Sequence, residues 1–172
     1  MKATLAVINQ MQDDGVIGKY AIGGAVGATF YLEPFATLDI DIFVTFQKDA
    51  GNLLLTLSPI YEYLTARGCK TENEYVIIED WPVQFLPTGN PLEEEALERA
   101  IETQLDGVRT RVMTAEHLVA IALKLGRPKD YSRILQFIDG GILDSNKLNE
   151  ILARHQLLEK WEAFGDRFLK KL

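Results

Sequence analysis

Between Thr37 and Phe46 the chain alternates. Leu38, Ile40, Ile42 and Val44 fall on one side, and Asp39, Asp41, Phe43 and Thr45 on the other. A period of two marks a β-strand, whose successive side chains point to opposite faces of a sheet. One face is apolar and must be covered, while the other carries two carboxylates at positions i and i+2. Like charges that close raise each other's pKa and cost free energy unless something compensates them. A divalent cation is the simplest compensation.

Upstream, Gly23-Gly24 follows the short apolar run Tyr20, Ala21, Ile22 and opens a segment, Ala25 to Glu33, that is predicted to be a helix ended by Pro34. A glycine pair there lets backbone N–H groups come close to an anion at a helix N-terminus, which makes a phosphate seat. Taken singly, the pair is equally a tight turn and Asp-Ile-Asp a solvated strand face. Taken together they point to a Mg-nucleoside-triphosphate site, because Mg²⁺ prefers one or two carboxylates plus the oxygens of a substrate phosphate. This order, Gly-Gly, helix, then a hydrophobic-flanked Asp-x-Asp 15 positions after Gly24, resembles the signature of the nucleotidyltransferase superfamily. The resemblance implies transfer of a nucleoside monophosphate from an NTP to an acceptor hydroxyl, with Mg²⁺ as cofactor and Asp39 and Asp41 as its ligands.

The 172 residues suffice for one well-cored domain or two small subdomains, and 47% hydrophobic with 25% charged residues is an ordinary globular composition. No apolar run approaches the roughly 20 residues of a membrane span, and Met1 to Gln10 is too short for a signal peptide. Cys69 is the only cysteine, which leaves no intrachain disulfide and no thiolate metal cluster. The expected compartment is therefore cytoplasmic. The net charge of −7 hides an asymmetry: residues 1–106 carry 6 Lys/Arg against 17 Asp/Glu, whereas residues 107–172 carry 12 against 8. Two halves of opposite sign suit a metal-binding half facing a phosphate-binding half, and equally two halves that attract one another. An acidic chain argues against broad binding to DNA.

Along the chain, residues 3–14 show helical spacing, Gln47 to Asn52 is predicted to be a loop, and Leu53 to Ala66 a helix interrupted near Ser58-Pro59 and closed by Arg67-Gly68. Two strands follow, Tyr75 to Glu79 and Val83 to Leu86, about a turn at Asp80 to Pro82. Families of the resembled type carry a third carboxylate on such a later strand, and the matching position here is Gln84. Glutamine has no charge and cannot act as a general base. Three readings of Gln84 stand: catalysis on two carboxylates with the acceptor deprotonated by solvent or a phosphate oxygen; Glu79 or Asp80 reaching in across the hairpin; or a fold that has lost the transfer activity. Leu92 to Leu105 is predicted as one helix whose Glu93-Glu94-Glu95 start is a solvated cap. Gly107 to Met113 is predicted as a strand with Arg109 and Arg111 on one face, available to phosphate or to the acidic half.

Thr114 is placed to N-cap the apolar helix Ala115 to Leu125, with Glu116 in its first turn. The segment Thr114 to Asp130, TAEHLVAIALKLGRPKD, resembles the second conserved block of small bacterial nucleotidyltransferases related to the abortive-infection type IV toxins. That resemblance implies that Lys124, Lys129 and Asp130 help form the nucleotide site, and that a cognate antitoxin is a partner. By its own chemistry Lys124 ends an apolar helix and can reach a phosphate, while Asp130 suits a ribose, an orienting contact to Lys124, or a helix N-cap. Where the family often has an acid in an Asp-Ile pair, this chain has Arg133-Ile134. Beyond Tyr131 the pattern is helical, broken at Gly140-Gly141 and again capped at Asp144 or Ser145. His117 and His155 have no partners at metal-ligand spacing and take structural roles. The expected fold is α/β (α+β), a small mixed sheet packed with helices and followed by a helical C-terminal part, with residues 1–113 as a nucleotidyltransferase-like core and 114–172 as a helical subdomain. The expected acceptor is tRNA, a protein or a small molecule. The alternative that Gln84 favours is a non-catalytic nucleotide-binding or interaction module.

Overall fold

The computed structural model describes residues 1–33, 37, 39–45 and 56–170. Among these a seven-stranded mixed sheet runs in the order β3-β4-β5-β2-β1-β7-β6. The strands are β1 (Tyr20–Ile22), β2 (Ile40–Val44), β3 (Lys70–Glu72), β4 (Tyr75–Ile78), β5 (Trp81–Pro87), β6 (Ile101–Leu105) and β7 (Val108–Val112). The β2–β5 and β1–β7 pairs are parallel, and the other four are antiparallel. The helices are α1 (Lys2–Asp13), α2 (Gly24–Ala28), α3 (Ser58–Thr65), α4 (Pro91–Glu98), α5 (Ala115–Leu125), α6 (Pro128–Asp139), α7 (Ser145–Arg154) and α8 (Leu158–Phe168).

Strand alternation divides the interior into two cores. Ile40, Ile42 and Val44 of β2, Tyr20 and Ile22 of β1, and Val83 and Phe85 of β5 pack with Leu5, Ile8 and Met11 of α1 and Ile60 and Leu64 of α3. The intervening residues Ala21 and Phe43 face the other way, into a core with α4, α5, α6, α7 and α8. Asp39 and Asp41 share the parity of Phe43, so they lie on the side covered by the C-terminal helices. The strand predicted over Thr37 to Phe46 is thus present as Ile40–Val44 with the faces as expected; Leu38 and Phe46 lie outside the described residues.

Several boundaries differ from expectation. The helix predicted over Ala25 to Glu33 stops at Ala28, because the Thr29 hydroxyl donates to the Val26 carbonyl at 2.7 Å and the next turn tightens; Pro34 lies outside the described residues. Helix α3 begins at Ser58 with Pro59 in its first turn, where a missing N–H costs nothing. The expected loop at Gln47 to Asn52 and the start of the helix predicted from Leu53 lie outside the described residues.

The largest correction falls on Leu92 to Leu105. Helix α4 ends at Glu98, and Ile101–Leu105 is an edge strand paired with β7. Asp106 and Gly107, at φ 51° and 80°, form the two-residue turn with both φ values positive that closes antiparallel hairpins. Arg109 and Arg111, on β7, are engaged away from Asp39 and Asp41. Arg109 pairs with Glu102 across the hairpin at 3.0 Å. Arg111 donates to the carbonyls of Ala100 (3.1 Å), Leu97 and Glu98, closing the C-terminus of α4.

Glu95 is no solvated cap. It accepts from Arg154 (2.6 Å) and is hydrogen-bonded to His155 Nε2 (2.7 Å) and His117 Nε2 (3.4 Å), fastening α4 to α5 and α7. Arg154 first, then the two histidines, holds the Glu95 carboxyl down at about 2. Both histidines therefore pair with Glu95, a contact that their sequence context did not indicate.

Candidate active site

The parallel register of β2 and β5 sets Asp41 opposite Gln84, with Ile40 opposite Val83 and Ile42 opposite Phe85. Gln84 accordingly stands beside the aspartate pair on the same face of the sheet. The glycine pair closes over this point from β1. Gly23 donates its N–H to the Asp41 carbonyl at 2.9 Å. Gly24 adopts φ +56°, and a Cβ added there would stand 1.7 Å from Asp41 Oδ2 and 2.7 Å from its Cγ. Gly23 is as confined, since its Cβ would meet the Phe43 ring at 2.5 Å. Only glycines allow the backbone this close to the carboxylate.

The facing wall comes from the α5–α6 corner. Gly126, left-handed at φ +68°, ends α5, and Pro128 starts α6 one residue after Arg127. Arg127, Asp130 and Arg133 follow at three-residue intervals and share a helix face. Asp130 is fully buried and sits inside the first turn of α6, not at its N-cap. Its carboxylate accepts from Arg127 Nε at 2.6 Å, from the second Arg127 nitrogen Nη2 at 3.1 Å and from the Arg127 backbone N–H at 3.2 Å. Arg133 Nη1 stands 3.9 Å away on the other side. Asp130 thus fixes the Arg127 guanidinium, pairs more loosely with Arg133, and makes no contact with Lys124 among the hydrogen bonds of the described residues.

Between the walls lies a cleft of about 490 Å³. Its polar lining includes Asp39, Asp41, Gln84, Arg127, Lys129 and Arg133, and its apolar lining includes Phe43, Leu86, Met113, Leu118, Ile121 and Leu125. Burial, and then the charge of Asp39, raises the Asp41 pKa; Arg133, Lys129 and Arg127 act against that rise. Tyr75 is beside Asp39, whose negative charge lifts the phenol above its ordinary pKa.

The cleft brings together Gly24, Asp39, Asp41, Gln84, Lys129 and Asp130. Gly23 is buried just behind Gly24. Lys124 is exposed near the end of α5 and does not line the cleft; its carbonyl accepts from Lys160 at 2.7 Å. Glu79 and Asp80 form the exposed β4–β5 turn and line no part of the cleft. Sequence reasoning missed Arg127, Arg133, Tyr75, Glu74 and Glu93, all of which do. For the arginines a signal existed in their spacing of three on either side of Asp130.

Among the described residues no group of three or more His, Cys, Asp or Glu side chains is arranged to hold a metal ion. Two carboxylates on one strand face still suit Mg²⁺, which commonly takes few protein ligands and completes its shell with water and substrate phosphate.

No protein-family model matches the chain, and no curated protein matches it. Solved structures match its fold. An antigenic nucleotidyltransferase-like protein from Paracoccidioides brasiliensis aligns over 95% of this chain and 90% of that one, with a TM-score of 0.54 at 14% identity. The crystal structure of ANT(2'')-Ia in complex with adenylyl-2''-tobramycin aligns over 95% and 98%, with 0.51 at 16%. The solution structure of the antibiotic-resistance factor ANT(2'')-Ia gives 0.52 at 13% over 97% and 98%. The fold is therefore nucleotidyltransferase-like; identities this low speak for the fold alone. No helix among the described residues is long and apolar enough to cross a membrane.

Proposed function

We propose that this chain is a Mg²⁺-dependent nucleotidyltransferase in which an acceptor hydroxyl attacks the α-phosphorus of an NTP, taking the nucleoside monophosphate and releasing pyrophosphate. One observation carries the reading: the Gly24 backbone lies so close to the Asp41 carboxylate that no side chain fits between them, at the edge of a cleft walled by three cations. A glycine turn pressed onto a strand carboxylate sets the Gly24 backbone beside metal-ligating oxygens, which suits a triphosphate, while the Gly23 N–H is engaged by the Asp41 carbonyl and fixes the turn in place.

Asp39 and Asp41 are the proposed metal ligands. A bound Mg²⁺ would neutralise charge developing on the transferred phosphoryl group. Gly23 and Gly24 seat the triphosphate, Lys129 and Arg127 balance its charge, and Lys124, next to the cleft-lining Leu125, is a further proposed phosphate ligand. Asp130 positions the arginines. The apolar wall of Phe43, Met113, Leu118 and Ile121 excludes water beside the reacting centre. The neutral Gln84 amide cannot take up a proton as a general base, so the acceptor's proton passes to solvent or a phosphate oxygen. In this reading residues 1–113 provide the carboxylates and residues 114–172 most of the cations, the acceptor is tRNA, a protein or a small molecule, and the protein works in the cytoplasm among its NTPs. A relationship to the abortive-infection type IV toxins, with a cognate antitoxin, belongs to the same proposal.

Calorimetric titration of each Mg-NTP into the wild type and Asp39→Asn/Asp41→Asn tests it. Metal-dependent binding that the double variant loses is expected, and no binding of any NTP refutes it. A second reading, a non-catalytic nucleotide-binding or interaction module, is favoured by Gln84. Gln84→Asp separates the two: a gain of transfer marks a decayed enzyme, and loss of an existing activity shows that Gln84 is used as it stands.

A further inference from the structure

Two-metal phosphoryl-transfer sites hold both ions between carboxylates a few ångströms apart. Here the residue beside Asp41 in the sheet is the neutral Gln84, and Asp39 and Asp41 are the two carboxylates that β2 supplies. Glu74 and Glu93 also border the cleft, yet with Asp39 and Asp41 they form no metal-holding group among the described residues. Arg133 lines the same cleft as Asp41; its side chain is 15% exposed and its Nη1 lies 3.9 Å from the fully buried Asp130. Asp130 is already satisfied by three hydrogen bonds from Arg127. Arg133 is paired with Asp130 only at 3.9 Å, with no hydrogen bond between them, and as part of the cleft lining its charge also acts on Asp41. A fixed cation at that place both offsets the aspartate pair and repels a further divalent ion.

We propose that Arg133 supplies, as a side-chain cation, the positive charge that a second divalent ion would bring to Asp41, so that the loaded cleft takes one divalent cation and not two. The inference rests on the nucleotidyl-transfer reading and sets its metal count. Gln84 and Arg133 act as a pair: one withholds a ligand and the other occupies the ion's electrostatic place. A Gln84→Asp substitution alone therefore does not create a second site, whereas Gln84→Asp/Arg133→Gln does.

Electron paramagnetic resonance can count Mn²⁺ bound to the full chain in the presence of the α,β-methylene analogues of ATP, GTP, CTP and UTP, each in turn. The expected count is one per chain for the wild type, one for Gln84→Asp and two for the double variant. Two in the wild type overturns the proposal whether or not any variant folds. Two in Gln84→Asp alone, or one in a double variant with wild-type circular dichroism, removes Arg133 from the role. If no analogue brings Mn²⁺ to the wild type, the nucleotidyl-transfer reading falls and this inference with it, whereas a count of two defeats the inference alone.

Discussion

The contact between Gly24 and Asp41 gives the sharpest prediction. In Gly24→Ala the new methyl carbon would stand 1.7 Å from Asp41 Oδ2, 2.7 Å from Cγ and 3.0 Å from Cβ. Because Cγ and Cβ are also too near, spinning the carboxylate about its last bond does not relieve the clash, and Asp41 must leave its rotamer. An alanine held at the φ of +56° costs about 1–2 kcal/mol. An off-rotamer aspartate adds about 0.5–1.5 kcal/mol. For a domain of this size each kcal/mol lowers Tm by about 2–4 °C, so Gly24→Ala should melt roughly 3–14 °C below wild type. The two costs separate in a double-mutant cycle with Asp41→Ala, which removes the clash and leaves the backbone strain. The cycle should return a coupling of about 1 kcal/mol, the double variant being less destabilised than the singles predict together. Thermal unfolding followed by circular dichroism is the assay. A Tm unchanged by Gly24→Ala, or additive effects, would refute the shared-volume account and the reason given for the glycine.

Asp41→Asn should raise stability at pH 7. The folded pKa of Asp41 lies above its unfolded value of 3.8, so its ionisation destabilises the fold as pH rises through the folded pKa, and the gain from asparagine should vanish in melts below pH 3.8. Glu95 has the opposite sign: its carboxyl is held at about 2 against 4.5, so its stabilisation is full above 4.5 and lost as pH falls toward 2. After allowance for solvent screening, Glu95→Gln should cost about 1–2 kcal/mol at pH 7, and no difference from wild type should remain near pH 2. Asp130→Asn removes the carboxylate that holds the Arg127 guanidinium and should destabilise by about 2–3 kcal/mol in urea unfolding, a loss that unchanged midpoints would contradict. Lys129→Ala should weaken Mg-NTP binding about 10- to 100-fold in calorimetry, the worth of one charge-assisted phosphate contact, and an unaltered Kd would take Lys129 out of the site.

What could be read from sequence was what depends on near neighbours in the chain. Alternation from Leu38 to Thr45 assigned Asp39 and Asp41 to the face opposite Ile40 and Ile42, and the cores divide there. The alignment of Gln84 with that pair followed from its flanking Val83 and Phe85, and the register repeats it. The strand at Ile101–Leu105 was readable too, from Ile101, Thr103 and Leu105 and the Asp106-Gly107 turn, but the helix-favouring acids before it hid the change of period. Other features needed the fold itself. Glu95 is 22 residues from His117 and 60 from His155, and nothing local distinguishes it from Glu93 or Glu94. Asp130 could be seen as a helix-start residue, yet its complete burial depends on how α5 and α6 turn about Gly126. Lys124 was legible as a phosphate-ligand candidate because it ends an apolar helix, and only the fold shows that its neighbour Leu125 is the residue of that helix end in the cleft lining.

The two walls of the cleft also impose an order on the molecule's birth. Asp41 precedes Arg133 by 92 residues. At a synthesis rate of about 5–20 residues per second, roughly 5–20 s pass before the cation that faces Asp41 has been made. Until then the residues of β1 and β2 have been made without all of the cations that offset Asp41, and before the helices that cover Ala21 and Phe43 are complete. The chemistry of the cleft and the closing of that core thus arrive together, with α5 and α6, and a chain halted at Met113 would have the aspartates in hand and no site to put them in.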